Sequence, residues 1–370
     1  MRCEAEWLRR VPLPTWPYVA GPEPMTTQNP GNAAEPDFGA YAAAAAAALQ
    51  RWYNPWTGRW RTTGWWNAAN ALTSIVDYTE WSGDRAFARV ISWTFSVARW
   101  RHPDFINSFF DDNGWWALAW LRAYEATGKS RYLVASRRIF DEMATGWDEA
   151  CGGGLWWNQD RNYKNAIANE LFLATAARLH RLSPRSGSLY LDWALREWDW
   201  FSASGMLNRT GLVNDGLTAD CKNNGKPTYT YNQGVILGGL GDLYEITGNS
   251  AYLQHGERIA DAVLSELTTP DSAVQPGILV EPGEADMAGR RGDGSQFKGV
   301  YARYLCDFYR YSGRPAYRDF IIRNARSVWD HSRNQKNQFG VCWAGPFDAA
   351  DASRQSSALD VLNAAARLTS

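Results

Sequence analysis

Two adjacent aspartates stand in a setting that can support acid–base chemistry. Asp111 and Asp112 occur in the segment FFDDNGWW (residues 109–116), where four aromatic residues flank the two carboxyl groups. Like charges at close range split their proton affinities, so one carboxyl group stays ionised while its neighbour holds a proton near neutral pH. An ionised nucleophile beside a protonated acid is the pair that glycoside hydrolysis requires. Neighbouring Cα atoms lie about 3.8 Å apart, which is compatible with the carboxyl separation of about 5–5.5 Å in retaining enzymes.

A structural role is the competing interpretation of the same pair. The segment lies where a long loop enters a buried helix, so one aspartate could cap the helix while the second adds a favourable charge at the positive end of its dipole. One aspartate suffices as a cap, however, and a second anion among aromatic residues is costly without a function. We therefore predict that Asp111 and Asp112 are catalytic, and we keep helix capping as the alternative.

Tryptophan is unusually frequent, with 21 residues in a chain of 370, and three tryptophan pairs point to a ligand. The pairs, each at or just before the start of a predicted buried helix, are Trp65-Trp66, Trp115-Trp116 and Trp156-Trp157. Consecutive helical residues point about 100° apart, so we expect one ring of each pair to pack in the core and the other to face a cavity. An indole ring has an apolar face and a polar N–H edge, which suits the apolar faces and polar rims of sugars. Core packing is the alternative for any single tryptophan.

Other polar residues near the predicted helix starts are candidates for substrate binding. We predict that Asn165, Tyr231, Asn232 and Lys298 contact the substrate, although caps and loop anchors account for many residues of this kind. For Asp215, which lies in a long loop, we favour a role in a turn. The sequence points to no metal and no organic cofactor, because it has no Cys/His cluster at zinc spacing and no GxxxxGK[ST] phosphate loop.

The charge balance excludes several classes of partner. The chain carries 38 Lys and Arg against 39 Asp and Glu, for a net charge of −1, and so lacks the basic surplus typical of nucleic-acid-binding proteins. No apolar run reaches the roughly 18 residues of a membrane-spanning helix. None of the four histidines follows a predicted start of a buried helix, which disfavours a histidine-based sugar epimerase. We expect a monomer that binds neither nucleic acid nor membrane.

A short repeat predicts the elements that position these residues. A glycine followed three or four positions later by an aromatic residue occurs five times, as Gly83/Phe87, Gly128/Tyr132, Gly187/Tyr190, Gly248/Tyr252 and Gly313/Tyr317. Glycine is expected where a helix ends, so each copy predicts the turn of a helical hairpin. The helix before each turn is rich in Ala, Gly and Leu, which is typical of a helix buried on nearly every side, whereas the helix after it has one charged face.

The order of the predicted helices indicates the fold. Residues 35–52 add an outer helix before the first hairpin and residues 355–369 add an inner helix after the last, so six inner helices alternate with six outer ones. A closed ring of inner helices wrapped by outer helices satisfies both burial patterns. We therefore predict an all-α (α/α)6 barrel over residues 35–370, preceded by a flexible leader over residues 1–34. The six long connections all emerge where the inner helices begin, and we expect the site at that end.

Several segments resemble glycoside hydrolase family 76, namely YNPWTGRW, GWWNAANAL, FFDDNGWWALAWLRAYEATG, CGGGLWWN, YKNAIANELFLATAARL, TYTYNQGVILGGL and QFKGVYARYL. The similarity runs from about residue 38 to the end. It implies an (α/α)6 barrel and endo-acting hydrolysis of α-1,6-linked mannan with retention of configuration. By the same resemblance, Asp111 is the nucleophile, Asp112 is the general acid/base, and the substrate is α-mannan or a manno-oligosaccharide.

Two alternatives stay open within this resemblance. A transglycosylase acting on cell-wall or anchor glycans would use the same catalytic residues, and a non-catalytic barrel would bind mannan through the same aromatic rings. The substrate of the family is normally outside the cell, which favours an extracellular or cell-envelope location over the cytoplasm, although the sequence shows no signal peptide. Cys151 and Cys221 lie in two of the long connections, and their Cα separation decides whether they can pair.

Overall fold

The structure, a computed structural model, describes residues 36–183 and 187–370, so the predicted leader over residues 1–34 lies outside the described residues. Twelve helices of 13 to 18 residues account for most of the described chain. They are α1 (Phe38–Gln50), α2 (Trp65–Ser82), α3 (Ala88–Arg101), α4 (Phe110–Thr127), α5 (Ser130–Ala144), α6 (Ala166–Leu182), α7 (Leu189–Ala203), α8 (Thr230–Thr247), α9 (Ser250–Glu266), α10 (Phe297–Ser312), α11 (Pro315–His331) and α12 (Ala352–Thr369).

The even-numbered helices form a closed inner ring. Each packs against the even-numbered helices before and after it, and α12 closes the ring by packing against both α10 and α2. The odd-numbered helices pack on the outside of this ring, as α5 does on α4 and α1 does on α12. Burial follows the same division: every residue of α8 from Thr230 to Leu243 is buried, whereas α9 buries only one face. The predicted (α/α)6 barrel is therefore confirmed.

Glycines end most of the inner helices, as the repeat predicts. Gly83, Gly128, Gly248 and Gly313 cap α2, α4, α8 and α10 with φ between 61° and 69°, in the left-handed region where glycine has no steric penalty. The fifth copy differs, because α6 ends at Leu182 with Ser183 as its cap. Four of the five predicted hairpin turns are thus capped by the glycine that predicted them.

Small residues allow the inner helices to approach one another closely. A Cβ added to Gly114 in α4 would lie 2.7 Å from the Cβ of Leu171 in α6, and one added to Gly299 in α10 would lie 2.4 Å from the Cα of Ser357 in α12. Any larger side chain at these positions would push the neighbouring helix away. Because Gly114 lies two residues after Asp112, this contact also constrains the position of the first turn of α4.

Buried ion pairs connect neighbouring inner helices. Arg178 in α6 lies 2.7 Å from Asp242 in α8, and the guanidinium of Arg303 in α10 lies 3.2 Å from Asp360 in α12. All four side chains are buried, so each charge depends on its partner to offset the loss of hydration. These pairs link neighbouring helices of the inner ring.

Six long connections lie at the end of the barrel where the inner helices begin, over residues 51–64, 102–109, 145–165, 204–229, 267–296 and 332–351. The first contains a short antiparallel hairpin of β1 (Tyr53–Asn54) and β2 (Arg59–Trp60). Cys151 and Cys221 form a disulfide with a Cα separation of 5.3 Å, which answers the question left open by the sequence and ties the third connection to the fourth. Across the described ranges, no helix is long and apolar enough to cross a membrane.

Candidate functional site

Asp111 and Asp112 are the second and third residues of α4, the helix that begins at Phe110. The N-cap position belongs to Phe109, whose backbone is extended, and the backbone N–H of Phe110 donates to the carbonyl oxygen of Trp157 at 2.9 Å. Neither aspartate is therefore the N-cap residue that the structural interpretation required. Both carboxyl groups lie in the first turn of α4, at the positive end of the helix dipole.

A cavity of about 380 Å³ opens at this end of the barrel. Its wall combines residues from the first turns of inner helices with residues from the connections. The lining residues are Trp66, Asp111, Trp115, Trp157, Tyr163, Asn165, Ile167, Asp215, Lys226, Tyr231, Asp293 and Phe297. The prediction that a site lies where the inner helices begin is in line with this placement of Asp111.

Hydrogen bonds hold the two carboxyl groups. Asp111 Oδ2 accepts a bond from the indole Nε1 of Trp157 at 2.9 Å, and Asp111 Oδ1 accepts one from the backbone N–H of Asp112 at 2.9 Å. Asp112 Oδ2 accepts a bond from the side-chain amide of Asn107 at 2.6 Å. Each carboxyl group thus has a fixed orientation before any ligand arrives.

The pKa of each carboxyl group is raised. Burial raises the pKa of Asp111 to about 7, the negative charge of Asp112 adds to this effect, and the bond from Trp157 opposes it. Burial likewise raises the pKa of Asp112 to about 6, with the charge of Asp293 acting in the same direction and the bond from Asn107 acting against it. Near neutral pH the pair therefore carries about one proton, which is the condition for one group to act as nucleophile and the other as acid.

One ring of each tryptophan pair, Trp66, Trp115 and Trp157, faces the cavity. The 100° helical spacing accounts for the first two pairs only, because Trp156-Trp157 lies in the third connection. Trp66 and Trp115 stack with ring centroids 5.5 Å apart and planes inclined by 27°. Tyr231 continues this aromatic wall, with its centroid 6.4 Å from that of Trp115 and 4.1 Å from that of Phe297. The result is a nearly continuous aromatic surface beside Asp111, contributed by α2, α4, α8 and α10.

The other ring of each pair packs elsewhere, so three of the six candidate tryptophans, Trp65, Trp116 and Trp156, are not among the residues that line the cavity. Trp116 is fully buried, with its centroid 4.6 Å from that of Trp65, and Trp65 itself lies 3.9 Å from the ring of His102. Trp156 donates its indole N–H to Asp148 at 2.7 Å, within the third connection. Trp65, Trp116 and Trp156 therefore support the wall rather than form its surface.

The four other predicted contacts divide in the same way. Asn165 and Tyr231 line the cavity, and Asn165 also caps α6 by accepting the N–H of Ala168 at 3.3 Å. Asn232 is fully buried, and neither polar atom of its side chain has a hydrogen-bond partner among the described residues. Lys298 is 1% exposed and pairs with Glu284, so its prediction as a substrate contact is wrong. A buried ammonium needs an anion close by, and Glu284 satisfies that need from within the fifth connection.

Several residues of the wall are not predictable from the sequence pattern. Tyr163 donates its hydroxyl proton to Asp215 Oδ2 at 2.5 Å, and Asn224 donates to the Tyr163 hydroxyl oxygen at 2.8 Å. Asp215 is therefore part of the cavity rather than only a turn residue. Asp293 also lines the cavity and accepts the indole N–H of Trp66 at 3.1 Å. The sequence NDG at residues 214–216 draws attention to Asp215. Nothing in the neighbouring sequence, however, indicates that this loop reaches Tyr163.

Lys164 anchors the third connection. Its ammonium donates to Asp148 Oδ1 at 3.0 Å and also reaches backbone carbonyl oxygens of the same connection, those of Asp148, Ala150, Gly153 and Gly154. The side chain is 1% exposed. A single buried cation thus folds residues 148–154 around itself, and it stabilises the loop that continues to Trp157.

Comparison with known proteins identifies the family. The sequence model of glycosyl hydrolase family 76 matches residues 39–369. Mannan endo-1,6-alpha-mannosidase DCW1 of Eremothecium gossypii is 28% identical over 242 residues, which are 58% of this chain and 53% of that protein. Mannan endo-1,6-alpha-mannosidase DFG5 of Saccharomyces cerevisiae is 28% identical over 264 residues, 65% of this chain and 56% of that protein. The chain spans little more than half the length of these relatives.

Solved structures share the fold over nearly the whole barrel. The GH76A alpha-1,6-mannanase from Salegentibacter sp. HEL1_6 superposes with a TM-score of 0.80 and 25% identity, covering 90% of this chain and 100% of that one. An inactive variant of the same enzyme, with two consecutive aspartates replaced by asparagine, superposes equally well and was solved in complex with alpha-1,6-mannotriose. With the family match over residues 39–369, these likenesses show that the chain belongs to glycosyl hydrolase family 76.

Proposed function

We propose that this protein is an endo-acting glycoside hydrolase that cleaves α-1,6-mannosidic linkages in mannan with retention of configuration. The observation that carries the proposal is the placement of Asp111 and Asp112 in the first turn of α4, with Asp111 in the wall of an aromatic cavity and both pKa values raised toward neutrality. A pair that shares one proton beside an aromatic surface has the parts that glycosidic cleavage needs.

In the proposed mechanism, Asp111 attacks the anomeric carbon while Asp112 protonates the departing glycosidic oxygen, which leaves a glycosyl–enzyme ester on Asp111. Asp112, now ionised, then takes a proton from water, and the resulting attack on the anomeric carbon releases the sugar and restores both groups. The reactive form has its proton on Asp112. The pKa of Asp111 is the higher of the two, so the single proton rests mainly on Asp111. Its transfer to Asp112 costs about 1.4 kcal/mol, because the two pKa values differ by about one unit.

The related enzyme supports the assignment of the pair. The Salegentibacter protein that shares this fold is described as an alpha-1,6-mannanase, and replacement of two consecutive aspartates gives its inactive variant. The only consecutive aspartates in the present sequence are Asp111 and Asp112. We therefore assign catalysis to Asp111 and Asp112, and we assign the binding of α-1,6-linked mannose units to the aromatic wall.

The aromatic wall supports a sugar chain as the substrate. Trp66, Trp115 and Tyr231 present adjacent rings beside Asp111, and the cavity opens between the long connections rather than being enclosed in the core. Stacking of ring faces on the apolar faces of sugars orients a chain across the catalytic pair. An open cleft lets a chain extend beyond the site at both ends, which suits cleavage at internal linkages.

The experiment is digestion of a debranched α-1,6-mannan, with the anomeric configuration of the first product followed by NMR. We expect internal cleavage and an α-configured first product, and loss of turnover in Asp111→Asn and Asp112→Asn variants that keep their helical circular dichroism. A β-configured first product contradicts retention. Longer oligosaccharides formed in a large excess of acceptor would indicate transglycosylation, and binding without any new reducing ends would indicate a mannan-binding barrel.

We also propose that the protein functions in an oxidising compartment such as the cell envelope or the exterior. The Cys151–Cys221 disulfide supports this location, because disulfides persist mainly outside the reducing cytosol. Thiol labelling of the protein isolated from its native compartment tests it: the pair should resist labelling until a reductant is added. Free thiols at both positions in the native protein would contradict the location.

A further inference from the structure

Trp157 contacts the catalytic pair differently from the other rings of the wall. Its indole N–H is directed at Asp111 Oδ2, at 2.9 Å, whereas Trp66 directs its N–H to Asp293. A hydrogen bond donated to a carboxylate stabilises its charged form. Trp157 therefore opposes the effect of burial on Asp111, and it is the side-chain donor that does so.

A second set of contacts holds Trp157 in place. Its backbone N–H donates to the carbonyl oxygen of Tyr163 at 2.7 Å, and the two rings meet edge to face with centroids 6.4 Å apart. Tyr163 is held in turn by Asp215 at 2.5 Å and by Asn224 at 2.8 Å. These contacts form a continuous series from the fourth connection through the third connection to Asp111.

The backbone on either side of this series is also clamped. Ala166 donates its N–H to the carbonyl oxygen of Asp215 at 2.8 Å, and Leu217 donates to the carbonyl oxygen of Lys164 at 3.0 Å. A Cβ on Gly216 would lie 2.6 Å from the Tyr163 hydroxyl oxygen, so the approach of the two connections depends on glycine. The series is therefore part of a rigid wall, which a positioning role requires.

We propose that Trp157, held by the Tyr163–Asp215 pair, is a positioning residue that makes Asp111 rather than Asp112 the nucleophile. This rests on the proposed function for the roles of the two aspartates, but the contact itself can be tested without catalysis. Trp157 favours the ionised form of Asp111 and fixes its Oδ2 atom. It therefore offsets part of the burial effect that holds the single proton on Asp111, and it makes transfer of that proton to Asp112 easier. Its contribution is then electrostatic and geometric, beyond that of a stacking surface.

Other charged and titratable groups also bear on Asp111, and the test must separate their effects. They are Asp112 on the same helix, Asp215 and Lys226 from the fourth connection, Asp293 from the fifth connection, and the phenols of Tyr163 and Tyr231. Replacement of Trp157 by phenylalanine removes the N–H and changes none of these charges. Trp156 supplies a matched control, since its indole N–H donates to the carboxylate of Asp148 instead.

The experiment is a carbon-13 NMR titration of the aspartate carboxyl groups in wild type, Trp157→Phe, Trp156→Phe and Tyr163→Phe, with Asp111 assigned from the spectrum of Asp111→Asn. We expect Trp157→Phe to raise the pKa of Asp111 by about one unit and Trp156→Phe to leave it unchanged. Tyr163→Phe, which keeps the ring but loses both hydroxyl contacts, should raise it by a smaller amount. An unchanged pKa of Asp111 in both Trp157→Phe and Tyr163→Phe overturns the proposal.

Kinetics on a soluble α-1,6-manno-oligosaccharide completes the test. We expect Trp157→Phe to lower kcat roughly tenfold to hundredfold, because less of the singly protonated pair has its proton on Asp112. The alkaline limb of the pH profile, which follows the higher of the two pKa values, should move to higher pH. A rise in KM with kcat and the pH profile unchanged would mean that Trp157 is only a stacking surface, which also overturns the proposal. If the wild-type protein hydrolyses no mannan, the proposed function fails, and the NMR titration still decides whether Trp157 controls Asp111.

Discussion

The pH dependence of mannan hydrolysis should be narrow and centred slightly below neutrality. Ordinary aspartates ionise near pH 4, but burial raises the pKa of Asp112 to about 6 and that of Asp111 to about 7. Only the singly protonated pair is reactive, because the nucleophile must be ionised while the acid holds a proton. A bell-shaped profile of kcat/KM follows, with its maximum at about pH 6.5, midway between the two values.

The size of the change in kcat/KM with pH follows from the same two pKa values. With apparent pKa values of 6 and 7, about 60% of the pair is singly protonated at pH 6.5, and about 9% is so at pH 5 or pH 8. The ratio of kcat/KM between the maximum and either of these pH values should therefore be about sevenfold. Because the two sites interact, the limbs describe the pair rather than either residue alone.

The assay is the initial rate of reducing-end release at substrate concentrations well below KM, measured from pH 4 to 9 at constant ionic strength. Retention of the circular dichroism spectrum across the range serves as the control for acid or alkaline unfolding. A profile that stays flat from pH 5 to 8, or an acid limb near pH 4, would refute the argument that burial raises both carboxyl pKa values.

Three further changes have predictable effects on stability, each measured by urea unfolding. Asp111→Asn should stabilise the protein by about 1–3 kcal/mol at pH 8 and not at pH 4. The pKa of Asp111 is higher in the folded state than in the unfolded state, so the stability of the wild type falls as the pH rises between these two pKa values. Equal stabilities of variant and wild type at pH 8 would contradict this. Lys164→Met should cost about 3–5 kcal/mol of stability, because it leaves buried acceptors unpaired. The control Lys226→Met, at an exposed site, should cost less than about 1 kcal/mol. Equal losses in the two variants would contradict the role of Lys164 in anchoring the third connection. Cys151→Ser with Cys221→Ser should cost about 4 kcal/mol, since the bond spans 70 residues; a loss below about 1 kcal/mol would contradict this chain-entropy argument.

The barrel could be predicted from the sequence because its signals are local and repeated. Four of the six inner helices end at a glycine, and the outer helices that follow the hairpin turns have one charged face, so the alternation is visible without any long-range contact. The starts of the inner helices were placed less well. The helix α12 begins at Ala352 rather than at residue 355. The helix α4 begins at Phe110, where Phe109 has an extended backbone and pairs with Asn158 from a distant connection instead of supplying a capping side chain. No capping signal marks that boundary in the sequence.

The candidate site was predictable only where it depends on helical geometry. The two aspartates and the alternation of Trp65 with Trp66 follow from positions along a helix, which the sequence contains. Lys298 was placed wrongly because its partner, Glu284, comes from a one-turn helix inside the fifth connection. Asp215 was undervalued for a similar reason: its role depends on Tyr163, 52 residues away. Contacts between long connections depend on tertiary packing and leave no periodic signal.

In the proposed reaction, Asp111 forms a covalent bond to the sugar while Asp112 supplies the proton, and trapping of that bond is the decisive experiment. The measurement is intact-mass analysis and peptide mapping after the protein reacts with a fluorinated manno-oligosaccharyl fluoride, a donor whose glycosyl–enzyme ester hydrolyses slowly. We predict a mass increase of one glycosyl unit, located on the peptide containing residues 109–116 and assigned to Asp111 by its absence in Asp111→Asn. A stable adduct on Asp112, or turnover that releases a β-configured product without any adduct, would contradict the assignment of Asp111 as the nucleophile.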